Sequence, residues 1–191
     1  MRSLMLTIML LALSSCAVVQ TAAPTPTPKS EPVATRAISA WDGPSFKRMT
    51  IMVSDLNRTV RLWRDILGFE VVVNAPSGPD SYSYPVFNIA PGTAIRYAMV
   101  SAGPEQQRTL AFAELKGQPL QVPQSPRVAA AVINANGRLA EIFAKVSAEG
   151  LAVVPAVVLR SATQGIGTEA AFVDWDGHLI VLYEFPKAIA R

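Results

Sequence analysis

Between Thr50 and Val72 the apolar positions change period twice. Thr50–Val53 is a short β-branched and apolar run and predicts a strand. Ser54 or Asp55 follows, and either can cap a helix by accepting from a free N–H of its first turn. Leu56, Val60, Trp63 and Leu67 then recur at helical spacing on one face. Gly68 stands where a helix commonly ends in a left-handed residue. Phe69–Val72 opens the next strand. Ala170–Glu184, AAFVDWDGHLIVLYE, reads as two strands around an Asp-Gly turn.

The helix-to-strand junction occurs twice. Gly68-Phe69-Glu70-Val71-Val72 matches Gly150-Leu151-Ala152-Val153-Val154, 82 residues later. The second helix, about Arg138–Glu149, carries Leu139, Ile142, Phe143 and Val146 on one face, and the run Val128–Ile133 before it predicts a strand. Later strand candidates are Val86–Ile89, Ala94–Ser101 and Thr109–Leu115 in the first copy. The second copy offers Ala152–Leu159, Thr168–Val173 and Leu179–Glu184. Each half therefore reads β-α-β-β-β, a duplicated module rather than a solenoid. The fold class is α+β, with modules at about 46–115 and 127–184. Their sheets would curve around a common cleft, with one helix backing each.

The ends of the chain differ from this domain, which spans about 45–188. Residues 1–16 pair the basic Arg2 with the apolar stretch Leu4–Leu13, too short to span a bilayer, and read as a signal peptide. Their end, Leu13-Ser14-Ser15-Cys16, resembles a bacterial lipobox, which implies that Cys16 becomes the lipidated first residue. Ala17, a non-Asp residue at the next position, then implies sorting to the outer membrane on its periplasmic side. Residues 17–44 hold Pro24, Pro26, Pro28 and Pro32 among Thr, Ala and Ser, a composition that cannot bury a core and reads as a tether.

Charge excludes one class of partner. The chain has 17 basic and 14 acidic residues. Removing Arg2 with the signal leaves 16 against 14, a net +2. That is too little to hold nucleic acid, and no basic run interleaves with aromatics. Cys16 is the only cysteine, so the domain has neither a disulfide framework nor a thiol nucleophile.

Two motifs carry a resemblance. Val53-Ser54-Asp55-Leu56 with Trp63-Arg64-Asp65-Ile66-Leu67-Gly68-Phe69 is similar to V-S-D-L…F-Y-x-x-x-L-G-F. Phe172-Val173-Asp174-Trp175-Asp176-Gly177-His178 is similar to F-x-D-P-D-G-N. With the repeat, they make the chain resemble the vicinal oxygen chelate superfamily over about 46–186. That superfamily includes glyoxalase I, bleomycin-resistance proteins, fosfomycin-resistance enzymes and extradiol dioxygenases. Its enzymes hold a divalent metal with His, Gln or Glu side chains on the first and last strands of each module. Carried onto this chain, the ligand positions fall on Arg48, seven residues before Asp55, on Val181, four after Gly177, and near Ala111. Glu114, three residues on, should face the other side of its strand. Val128–Ile133 has no His, Glu or Gln. His178, the only histidine, stands in the turn where the family has Asn. It reads as a solvent-facing turn residue rather than a lone ligand. No metal or other cofactor is expected.

Alternation places Phe46, Arg48, Thr50 and Met52 on one strand face, with Met49, Ile51 and Val53 against the helix. If the family orientation holds, Arg48 points into the cleft and can pair with a carboxylate or phosphate. Otherwise it closes the strand end against a neighbouring Asp or Glu. Leu179, Val181 and Tyr183 should line the same cleft, joined by Tyr97 and Met99. Trp63 belongs to the helix's apolar stripe. Trp175, in place of the usual Pro, is either an aromatic at the cleft mouth or a cover for the turn. Three functions remain. One is metal-free binding of a small organic anion or aromatic, as bleomycin-resistance proteins bind without a metal. The second is a glyoxalase- or dioxygenase-type lyase or isomerase. The third is an envelope interaction module without a small ligand. A homodimer is left open.

Overall fold

The computed structural model describes residues 46–122 and 126–186. The signal, Cys16 and the tether lie outside the described residues. The first module runs β1 (Met49–Val53), α1 (Leu56–Arg61), β2 (Glu70–Pro76), α2 (Ser83–Val86), β3 (Ile95–Ser101) and β4 (Leu110–Leu115). The second runs β5 (Ala130–Asn134), α3 (Leu139–Ala148), β6 (Ala152–Ser161), β7 (Gly165–Val173) and β8 (Leu179–Glu184). The sheets have the same order, β1-β4-β3-β2 and β5-β8-β7-β6. In each, the first strand is parallel to the fourth and the other pairs are antiparallel. This is the βαβββ module, present twice.

The apolar stripe forms the helix it predicts. Asp55 is the N-cap of α1, its carboxylate accepting from the Arg58 N–H at 3.0 Å. After Arg61 the helix widens into one π turn, Leu62–Ile66, and the Leu67 N–H reaches the Leu62 carbonyl at 3.0 Å. Leu56, Val60, Leu62, Trp63, Ile66 and Leu67 are all buried. Gly68 (φ +84°) and Gly150 (φ +72°) end the two helical segments left-handed. One core serves both modules: Val53, Trp63 and Phe112 of the first cluster with Leu139, Ile142, Phe172 and Ile180 of the second. Trp63 meets Phe69 edge-on at 5.0 Å between ring centres, and Phe112 at 5.1 Å.

Each helix start borrows a carboxylate from its own module's last strand. The Leu56 N–H donates to Glu114 Oε1 (3.3 Å), and the Leu139 N–H donates to Glu184 Oε2 (3.1 Å). Arg138, the residue before α3, makes no side-chain cap. Glu184 thus satisfies a helix N–H that local sequence leaves open.

Three expectations are corrected. Val86–Ile89 is not a strand. Pro85 cannot donate to a ladder, Asn88 sits at φ +51°, and the Ile89 N–H turns back to the Tyr84 carbonyl at 2.8 Å. The segment closes α2 instead, and Ile89 packs on Ile95, Ala113 and Leu115. β5 begins at Ala130 rather than Val128, whose side chain is 95% exposed. His178 is not solvent-facing, since Asp174 holds it in a partly buried turn.

Candidate functional site

Alternation on three neighbouring strands builds the first candidate site. Thr50 is in register with Ala111, Ala111 with Met99, and Ala113 with Tyr97. These side chains therefore project from one face of the first sheet, opposite to α1. Arg48 joins them just ahead of β1. Together they line a cavity of about 360 Å³. The space exists because β4 carries only methyl groups there, Ala111 and Ala113, where longer side chains would fill it. Ser81, Tyr82 and Phe87 of the α2 segment form the outer wall.

Arg48 is half-buried, and its Nη1 donates to the Met99 sulfur at 3.4 Å. Thioether sulfur is a weak acceptor. Among the described residues no carboxylate pairs with this guanidinium. Of its two readings, the geometry gives the one in which Arg48 lines the cavity.

A divalent metal does not fit these residues. Arg48 and Ala111 share the cavity but offer no donor, and a guanidinium repels a cation. Glu114 lies on the opposite face, as alternation requires, committed to the Leu56 N–H and to Arg96 at 3.3 Å. Val181 sits in β8 between Val132 and Ala171 and lines none of the cavities described here. Among the described residues no three His, Cys, Asp or Glu side chains converge.

The remaining candidates are placed elsewhere. Met52 and Leu179 line a second cavity of about 240 Å³ at the seam between β1 and β5, which Thr50 also touches. Tyr183 lines a broader groove with Met49 and Arg138. The structure thus brings together Arg48, Thr50, Tyr97 and Met99, and separately Thr50, Met52 and Leu179. Sequence reasoning missed Tyr82 and Phe87. Their signal was faint: two of three aromatics, with Tyr84, in the Pro- and Ser-rich stretch before Asn88.

The Asp-Gly turn is polar and ordered. Asp174 Oδ1 accepts the N–H groups of Asp176 (3.0 Å) and His178 (2.8 Å). Its Oδ2 lies 2.9 Å from His178 Nδ1. Burial opposes charging of the imidazole. The hydrogen bond and charge of Asp174 outweigh it, helped by Asp176 and opposed by Arg127, and the His178 pKa is raised. Trp175 covers the turn: the Arg58 guanidinium stacks over it, 4.9 Å from the ring centre, and the indole packs on the shared core.

The model of the Glyoxalase/Bleomycin resistance protein/Dioxygenase superfamily matches residues 45–182. Solved structures similar to this chain include a glyoxalase family protein from Bacillus cereus, at 15% identity and TM-score 0.59, covering 76% of this chain and 99% of that one. A glyoxylase/bleomycin resistance protein/dioxygenase domain from Frankia sp. matches at 16% and 0.52, over 74% and 98%. The trypanothione-dependent glyoxalase I of Leishmania major matches at 17% and 0.51, over 74% and 87%. At such identities these likenesses show the fold alone. No curated protein matches the chain.

Proposed function

We propose that this chain, which belongs to the Glyoxalase/Bleomycin resistance protein/Dioxygenase superfamily, is an envelope lipoprotein that binds a small organic anion without a metal. One observation carries the reading. A guanidinium with no carboxylate partner among the described residues lines the cavity that holds two of the three metal-ligand positions the resemblance implies, Arg48 and Ala111. Tyr97, Met99, Tyr82 and Phe87 supply apolar and aromatic wall around it, and one cation in such a wall selects an organic ligand with an anionic group. Glyoxalase-type chemistry would need donors on Ala111 and Val181, whose side chains offer none.

The test is a thermal-shift screen of aromatic and aliphatic carboxylates and phosphates, followed by titration of the hits. Arg48→Ala is expected to weaken the best ligand about tenfold or more, the loss of one charge-assisted hydrogen bond of roughly 1.5–3 kcal/mol. Undiminished affinity in Arg48→Ala would overturn the anchor. About one Ni, Zn, Fe or Mn per chain in the purified protein would overturn the metal-free part.

The envelope address rests on Cys16. A lipidated Cys16 would tie the protein to the membrane through its acyl chains, at about 0.8 kcal/mol per buried CH₂. Cys16→Ser is expected to leave a soluble or unprocessed protein. Wild-type protein that takes up no labelled lipid, fractionating as Cys16→Ser does, would refute it.

A further inference from the structure

We propose that the seam between β1 and β5 is a second ligand site, which takes a small aromatic or branched aliphatic carboxylate with its head group on His178. The proposal is independent of the Arg48 cavity, with which it shares only Thr50.

The seam is open for a structural reason. β1 and β5 belong to separate sheets and do not pair with each other. On the β5 side the gap is bordered by Ala129, Ala130 and Ala131, too short to close it, and on the other by Met49, Ile51 and Met52. Trp63 and Phe112 of the core also line it. The volume, about 240 Å³, suits one ring and a head group, since about 150 Å³ of apolar cavity accepts benzene.

Polar groups gather at the turn: Arg127, Asp174 and His178. Asp174 cannot serve a ligand freely, because both oxygens are already engaged within the turn. Its bond to Nδ1 fixes the proton there and leaves Nε2 as the ring nitrogen for a ligand. Arg127 donates to the Gly177 carbonyl, which holds a second cation beside the ring. The charged groups acting on His178 are Asp174, Asp176 and Arg127. Asp176 is turned to Ser54 and Arg58. A protonated His178 at the polar end of an apolar chamber suits a carboxylate. An amine would meet Arg127, and a neutral alcohol would forgo the ionic part.

The experiment uses the mature full-length chain with ¹³C-methyl methionine, and benzoate as the probe. Met49 and Met52 line the seam, and Met99 lines the Arg48 cavity. Benzoate is expected to shift the Met49 and Met52 methyls saturably, in wild type and in Arg48→Ala alike. Benzyl alcohol should bind about tenfold more weakly, and His178→Gln should weaken benzoate about tenfold at pH 6. The hydrogen bond and charge of Asp174 raise the folded-state pKa of His178 against its burial, so binding should be strongest below that pKa and fade as pH rises through it. His178→Gln should abolish that dependence. Ala130→Met, which fills the chamber, should block binding while His178 keeps its pairing. Benzoate that moves only the Met99 methyl would overturn the seam site and leave the Arg48 reading standing. No shift of any methyl, or unchanged affinity in both His178→Gln and Ala130→Met, would also overturn it.

Discussion

Trp63→Ala is expected to destabilise the domain by about 3–5 kcal/mol, read as a lower urea midpoint with little change in slope. The indole is 1% exposed and sits where the modules share their core. It packs edge-on to Phe69 and tilted against Phe112. Deleting it removes the largest side chain of the core and leaves a hole between two sheets whose backbones are fixed by their own ladders. Relaxation into that hole is limited, so the cavity penalty adds to the lost transfer energy. Domains of this size have about 5–15 kcal/mol in total, so the melting temperature should fall on the order of 10 °C. Trp63→Phe keeps a ring and should recover much of the loss. A cost under about 1 kcal/mol for Trp63→Ala would mean that the modules do not share this core.

That residue also shows what the sequence displays well. Leu56, Val60, Trp63 and Leu67 form a stripe within one helix, and a local period needs no knowledge of the partner. The same holds for a cap at Ser54 or Asp55, for the left-handed Gly68, and for the Asp-Gly turn. Duplication adds a second reading of each feature. Strand alternation placed Glu114 away from Ala111, and the Leu56 N–H explains why a carboxylate stands there.

What stayed hidden has physical reasons. The cavities are made by side chains that are not there: Ala111 and Ala113 in one, Ala129–Ala131 in the other. An alanine in a strand looks like neutral filler until its neighbours in register are known. Val86–Ile89 is apolar enough to read as a strand, and that pattern takes no account of Pro85 and Asn88. His178 with Asp174 lay within reach, four residues apart across a turn. A lone His in a loop nevertheless reads as exposed unless the turn's hydrogen bonds are counted. Glu184 and Leu139, 45 residues apart, meet only through the topology.

Asp176→Ala is expected to cost about 2–3 kcal/mol although it lies at no ligand cavity described here, because it joins the two motifs that mark the family. Its carboxylate accepts the Ser54 N–H at 3.1 Å, accepts the Ser54 hydroxyl, and stands 3.7 Å from the Arg58 guanidinium. Ser54 stands just before the Asp55 cap of α1 in the first module, and Asp176 is in the turn of the second, 122 residues later. The Asp176 side chain is 9% exposed, so water screens these contacts only in part. Each hydrogen bond to a charged group contributes about 1.5–3 kcal/mol, and they share one carboxylate, so the total stays below their sum. The partner side chains remain on the far module, so the loss is one of docking: the V-S-D-L turn is released from the D-W-D-G-H turn. Ser54→Ala removes the hydroxyl and keeps the N–H, so it should cost less. A double-mutant cycle between the two should show a coupling of about 1 kcal/mol or more. Benzoate and Arg48 ligands should still bind to the folded fraction of Asp176→Ala. Strict additivity of the two substitutions would show that the motifs are independent turns rather than one clasp between modules.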